Sequence, residues 1–147
     1  MWPATLVSTI ATGLPVVTSS TLSADYADSS MTSETCWMPA TDAVNGDEYI
    51  FVNLIYPRYL MTLKTKGSAG DNDDWTKKYK LEYSTDADTW EEYESGAEFD
   101  GNDDKDTEVE HDLAADVWSM VSATYLKLIP TEFEDEYPCL RWELTIG

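Results

Sequence analysis

Apolar positions along the chain recur every second residue in short runs, with turn signals between the runs. Tyr79, Leu81 and Tyr83 alternate with Lys80 and Glu82, and Leu126 and Leu128 alternate with Tyr125 and Lys127. In the last run Leu140, Trp142, Leu144 and Ile146 share one face, while Arg141, Glu143 and Thr145 share the other. A period of two is that of a half-buried strand. Tyr49 to Tyr56 is nearly all apolar and predicts a buried strand; Tyr59 to Thr65 predicts another, with Tyr59, Met61 and Leu63 on one face. No helical periodicity persists over three turns. The connections are acidic or small: Gly67 to Asp74, Ser84 to Asp88, Gly101 to Asp106, and Glu132 to Glu136 closed by Pro138. An inward strand face of this kind needs an opposing sheet, so the pattern predicts a sandwich or jelly roll.

The 147 residues suit one domain with one core, and residues 1–147 are read as a single unit without repeat or linker. Six Trp, nine Tyr and three Phe supply that core and exclude an acidic disordered chain. Nine Lys and Arg against 29 Asp and Glu give a formal charge of -20. Such a surface repels nucleic acid and anionic headgroups, and attracts cations and basic partners. No apolar run approaches the ~20 residues of a membrane span. Met1 to Val17 lacks a basic n-region and is a poor signal peptide. Cys36 and Cys139, far apart in sequence, are either free thiols or a disulfide on spacing alone.

Four ordered motifs carry a family resemblance. Tyr79 to Tyr93 (YKLEYSTDADTWEEY) is similar to a strand, turn and Trp pattern, Y-K-L-x-Y-S-x-D-G-x-x-W-x-x-Y. Phe99 to Asp104 (FDGNDD) is similar to F-x-G-N-x-D, Ala123 to Pro130 (ATYLKLIP) to A-R-Y-I-R-I-x-P, and Leu140 to Gly147 (LRWELTIG) to L-R-x-E-L-x-G. Tyr49 to Leu54 and Thr65 to Gly67 occupy the places of W-L-Q-V-D-L and T-Q-G. Over about residues 16–147 the chain resembles the discoidin family, also called the coagulation factor V/VIII type C domain. The resemblance implies an all-β, discoidin-like jelly-roll sandwich of about eight main strands. It also implies a binding module whose ligand sits on loops at one end. The sequence departs from the family pattern at Asn53, usually Asp, at Thr124, usually Arg, and in lacking the cysteine pair that joins the termini. The loss of those charges predicts different local packing.

Catalysis is not expected. The one histidine, His111, lies between Glu110 and Asp112 and reads as an exposed loop or strand-end residue. The resemblance instead points to loops. Asp28 to Trp37 resembles the D-G-x-x-x-T-x-W loop of lectin-like members, where Asp, Thr and a C-terminal Glu hold a structural calcium. Asp28, Thr35 and Glu143 match those places and are hard oxygen ligands, although two extra residues separate Asp28 from Thr35 and Ser29 replaces Gly. The projecting loops are expected near Leu22 to Glu34 and Ser68 to Lys77. They carry Tyr26, Met31 and Trp75 among carboxylates, which is the wrong charge for an anionic membrane unless calcium bridges. A ring beside carboxylates and an amide suits a sugar, and Trp75 with Asp71, Asn72 and Asp73, joined by Tyr26, is the expected ligand site. The other reading of Trp75 is that it packs at the start of the next strand.

Collagen-receptor members of the family bond a similar internal cysteine pair, so the resemblance implies a Cys36–Cys139 bridge and an oxidising compartment. The function expected from these readings is a non-catalytic extracellular recognition or adhesion domain for a glycan or glycoprotein, with calcium as a structural cofactor. The alternative is an acidic matrix or filament protein that binds copies of itself or a basic partner.

Overall fold

In the computed structural model the described residues are 7–8, 13–42, 46–116 and 120–147. The stretch Met1 to Val17, read above as a poor signal peptide, lies largely outside them. Nine strands are present among the described residues: β1 (Val7–Ser8), β2 (Val16–Thr18), β3 (Ile50–Lys66), β4 (Thr76–Ser84), β5 (Glu91–Glu92), β6 (Phe99–Asp100), β7 (Val109–Asp112), β8 (Ser122–Phe133) and β9 (Arg141–Ile146). Single 3-10 turns at Ala24–Tyr26 and Tyr93–Gly96 are the helical segments described.

β3 organises the sandwich. Its first part pairs with β2 and β8, and its second part pairs with β9 and β7, so one strand serves both layers. The first layer continues from β8 to β4 and then to β5 and β6; the second reaches β1 through β9. Every pairing is antiparallel. Between the layers lie Trp37, Ile50, Val52, Leu54, Leu60, Leu63, Tyr79, Leu81, Leu126, Leu128 and the inward face of β9, all buried. Full burial of each Leu or Ile contributes roughly 1.5–3 kcal/mol. The two buried tryptophans keep their ring N–H groups satisfied: Trp37 donates to the Ser20 carbonyl and Trp142 to Ser29 Oγ, each at 3.0 Å.

The two runs read as separate strands are one strand. Register shifts between Asn53 and Arg58 and again between Leu60 and Thr62 mark bulges where β3 crosses from one layer to the other. Ile55 adopts a φ of 77°, a region that favours glycine, and Asn53 Oδ1 accepts its N–H at 2.8 Å. Asn53 therefore caps this bulge with its side-chain amide, a role that needs no charge. The bulges also overturn two face assignments. Ile50, Val52 and Leu54 are buried, but Ile55 and Tyr56 are more than half exposed at 57% and 58%. Tyr59 is exposed, with Leu60 and Leu63 taking the inward positions. His111 is half-buried within β7, edge-on to Tyr79 and Phe99, with Nε2 2.7 Å from the Asp100 carbonyl oxygen. It is thus a strand-end residue, one of the two places expected for it, but packed rather than exposed. The charged segment Glu132 to Glu136 is also part strand, because β8 runs to Phe133.

Tyr49, Phe51, Trp90 and Tyr125 form a half-buried aromatic cluster outside the main core. Lys127 lies across it, with Nζ 3.9 Å from the Trp90 ring centroid and 3.5 Å from a Glu82 carboxylate oxygen. Cation–π attraction lets the lysine stem cover aromatic surface while its charge is neutralised.

Candidate functional site

Three connections meet at the end of the sandwich where β3 finishes and β4 and β9 begin: residues 22–36, 67–75 and 101–108. The Cys36–Cys139 disulfide ties the first of these to the start of β9 across a sequence separation of 103. Trp37 and Leu140 exchange both backbone hydrogen bonds beside it, at 2.9 and 3.0 Å. Tyr26 packs on this bridge with Met38 and Tyr137, so its ring belongs to the disulfide's apolar cluster.

The second connection carries the expected ligand residues, and its turn is built from its own side chains. Ser68 Oγ donates to Asn72 Oδ1 at 2.7 Å and accepts the Gly70 N–H at 3.0 Å. Asn72 Nδ2 donates to Asp74 Oδ2 at 2.5 Å. Asn72 thus spends its amide inside the loop, where it shapes the apex. Asp71 and Asp73 are exposed. Asp74 is buried, and desolvation, helped by the nearby Asp135, Asp73 and Glu136, raises its carboxyl above the usual range despite the Asn72 bond. Trp75 is half-buried. Its carbonyl accepts the Glu134 N–H at 3.0 Å, and its ring N–H is buried with no hydrogen-bond partner among the described residues. A Cβ on Gly67 would lie 2.7 Å from Trp75 Cβ and 2.8 Å from Lys105 Cα, so only glycine lets the second and third connections pack this closely.

Two cations that the ligand-site reading did not use hold the three connections together. Arg141, the second residue of the L-R motif, is buried on the outward side of β9. Its Nε donates to the Gly67 carbonyl at 2.6 Å, Nη2 to the Lys105 carbonyl at 3.1 Å and Nη1 to the Met31 carbonyl at 3.4 Å. Burial lowers its pKa, partly opposed by Asp106. Lys105 Nζ donates to the Gly70 and Asn72 carbonyls at 2.9 and 3.2 Å and lies 3.4 Å from Asp73 Oδ1. Lys105 was legible only as a lone cation inside the acidic run Gly101 to Asp106.

Of the expected calcium residues, backbone pairing brings the neighbourhoods of Asp28 and Glu143 together, and among the described residues no group of three or more His, Cys, Asp or Glu side chains converges as a metal site. The Ser29 carbonyl accepts the Trp142 N–H at 2.8 Å, which places Asp28 and Glu143 on the immediate neighbours of a bonded pair. Asp28 Oδ1 accepts the Ser30 N–H at 2.9 Å, and the Thr35 hydroxyl donates to the Asp25 carbonyl. Glu143 is buried. Carboxylates and a hydroxyl are oxygen donors of the type a hard cation takes. Beside the Ser29–Trp142 bond a cleft of about 540 Å³ is lined by Leu14, Val16, Thr18, Thr21, Asp28 and Ser29, among others.

Comparison with known proteins agrees with this architecture. A discoidin-1 polypeptide of Dictyostelium discoideum is 40% identical over 68 residues, 46% of this chain and 26% of that protein. The aligned segment is thus about a quarter of the relative's length. Wild-type discoidin II of the same organism superposes with a TM-score of 0.78 at 24% identity, over 98% of this chain and 59% of that one. The family 32 CBM from C. perfringens NanJ, solved in complex with galactose, gives a TM-score of 0.69 at 13% identity, over 96% of this chain and 99% of that one. At these identities the structures establish the fold. The F5/8 type C domain model matches residues 15–144. This chain belongs to the F5/8 type C domain family.

Proposed function

We propose that this domain is a non-catalytic recognition module that binds a glycan, free or on a glycoprotein, through the loop end carrying Asp71, Asn72, Asp73 and Trp75. The observation that carries the reading is the braced apex: Asn72 is fixed from within, leaving Asp71 and Asp73 exposed beside a half-buried indole. Carboxylates accept sugar hydroxyl hydrogens, and an aromatic ring packs on a sugar's apolar face. Tyr26, expected to join from the neighbouring loop, has its ring on the disulfide cluster and is left out of the proposed site. Discoidin-fold neighbours include modules solved with galactose and with GalNAc-beta-1,3-galactose, which supports a sugar as ligand.

Calcium has a structural place in this reading. Asp28, Thr35 and Glu143 would hold the ion, and it would tie the 27–35 loop to β9. The disulfide supports an oxidising, extracellular setting. A charge of -20 argues against direct binding to anionic membranes.

A glycan array with and without calcium tests the reading. Binding is expected to a subset of galactose-containing glycans and to disappear in Trp75→Ala with little change in melting temperature. A large stability loss in that variant would make Trp75 a packing residue and remove it from the site. Calcium is expected to raise the melting temperature of wild type and not of Asp28→Ala. An equal rise in both would show non-specific cation binding to the acidic surface.

A further inference from the structure

We infer that Lys105 is the positioning residue of the 67–75 loop, a protein cation that sets the curve of the loop apex without a metal ion. The inference deepens the glycan-binding reading and rests on it for the ligand. A surface lysine in an acidic protein usually makes screened ion pairs of little value. Lys105 differs in what it touches. Two of its three contacts are backbone carbonyls, those of Gly70 and Asn72, which flank Asp71. All three groups that the ammonium meets therefore lie in one turn. Its side chain is 24% exposed, whereas that of its ion-pair partner Asp73 is 81% exposed. The ammonium sits under the apex and the carboxylate points outward.

The lysine is itself held from below. Its carbonyl accepts from Arg141 Nη2 at 3.1 Å, and Arg141 Nε reaches the Gly67 carbonyl at 2.6 Å, at the base of the same loop. The path Arg141, Lys105, Gly70 and Asn72 joins β9 to the apex through cation-to-carbonyl bonds. Such charge-assisted bonds are shorter and stronger than neutral ones. One more bond, from the Ala69 N–H to the Thr35 carbonyl at 2.9 Å, joins the apex to the first connection. The exposed carboxylates of Asp71 and Asp73 are thereby presented on fixed backbone, and a ligand meets a loop that is already ordered. A chelator is expected to leave this apex unchanged, because protein groups brace it.

Lys105→Met and Lys105→Arg are compared with wild type, all with the disulfide intact. Amide hydrogen exchange is followed in residues 68–74, and binding of galactose, GalNAc-beta-1,3-galactose and chitotriose is measured by calorimetry. In Lys105→Met the apex amides are expected to exchange at least about tenfold faster, the scale of one charge-assisted hydrogen bond. Binding is expected to weaken by a similar factor, the β8 and β9 amides to stay protected, and Lys105→Arg to recover both properties in part. Unchanged apex exchange in Lys105→Met overturns the inference whether or not a sugar binds. A loosened apex with unchanged sugar affinity overturns the positioning role as well. If wild type binds none of the sugars, the glycan reading fails, and faster apex exchange in Lys105→Met still upholds Lys105 as the brace of the apex.

Discussion

Arg141 Nε donates to the Gly67 carbonyl oxygen at 2.6 Å, across 74 residues of sequence, and so fastens the first residue of the last strand to the first loop residue after the longest one. The contact places a buried cation among backbone acceptors of three connections. It makes the loop end of the sandwich a continuation of the core rather than a fringe around it.

Replacing that cation is therefore expected to be costly. Arg141→Met keeps the stem's volume but leaves the Gly67, Met31 and Lys105 carbonyls without their shared donor. A loss on the order of 3 kcal/mol is expected from hydrogen bonds to a charged group. Urea unfolding measures it; a change below about 0.5 kcal/mol, the range of ordinary surface substitutions, would show the guanidinium is dispensable.

Glu48 predicts the acid limb of the stability curve. Burial pushes its carboxyl up, but hydrogen bonds from the Ser19, Ser20 and Thr41 hydroxyls and the Thr41 N–H outweigh that effect and leave it below its ordinary value of 4.5. A depressed folded-state pKa contributes stability that is present above the unfolded value and is lost as pH falls through the folded one. Glu48→Gln is expected to lower the melting temperature at pH 7 and to flatten the fall below about pH 4.5. Parallel acid limbs in variant and wild type would count against the assignment.

Asp74 has the opposite sign. Its carboxyl is raised above 3.8, chiefly by burial, so the favourable contribution is complete below the unfolded pKa and disappears as pH rises through the folded one. At pH 7 the ionised form opposes folding. Asp74→Asn, whose side-chain carbonyl can still accept from Asn72, is expected to raise the melting temperature at pH 7, with the gain shrinking toward about pH 3. A destabilised variant at neutral pH would show that the Asn72–Asp74 contact requires the charge.

The disulfide closes a sequence separation of 103 residues. In the chain-entropy model this contributes roughly 4–5 kcal/mol. Cys36→Ala/Cys139→Ala is expected to lose most of that amount in denaturant unfolding and to free Tyr26 from its packing surface. Two freely alkylated thiols in the unfolded, unreduced protein would contradict the bridge.

Strand content and the inward faces of β4, β8 and β9 were legible along the chain because alternation is a local property: a half-buried strand must put every second side chain into the core. The ordered motifs carried the family for the same reason, each lying within one strand or turn. The cysteine pair was ambiguous on spacing and became a pair only through the resemblance. The crossing of β3 between layers was hidden, since bulges shift register without a distinct residue signature, and Ile55 takes up a left-handed conformation that a β-branched residue does not advertise. His111 read as an exposed loop or strand-end residue; it does lie at a strand end, but tertiary packing sets it against Tyr79 and Phe99. The loop brace was hidden more deeply. Arg141 and Lys105 are ordinary cations in sequence, and their acceptors are backbone carbonyls, which every residue possesses. Which carbonyls converge on a given cation depends on how distant loops are brought together, and that is settled by the packing of the whole sandwich.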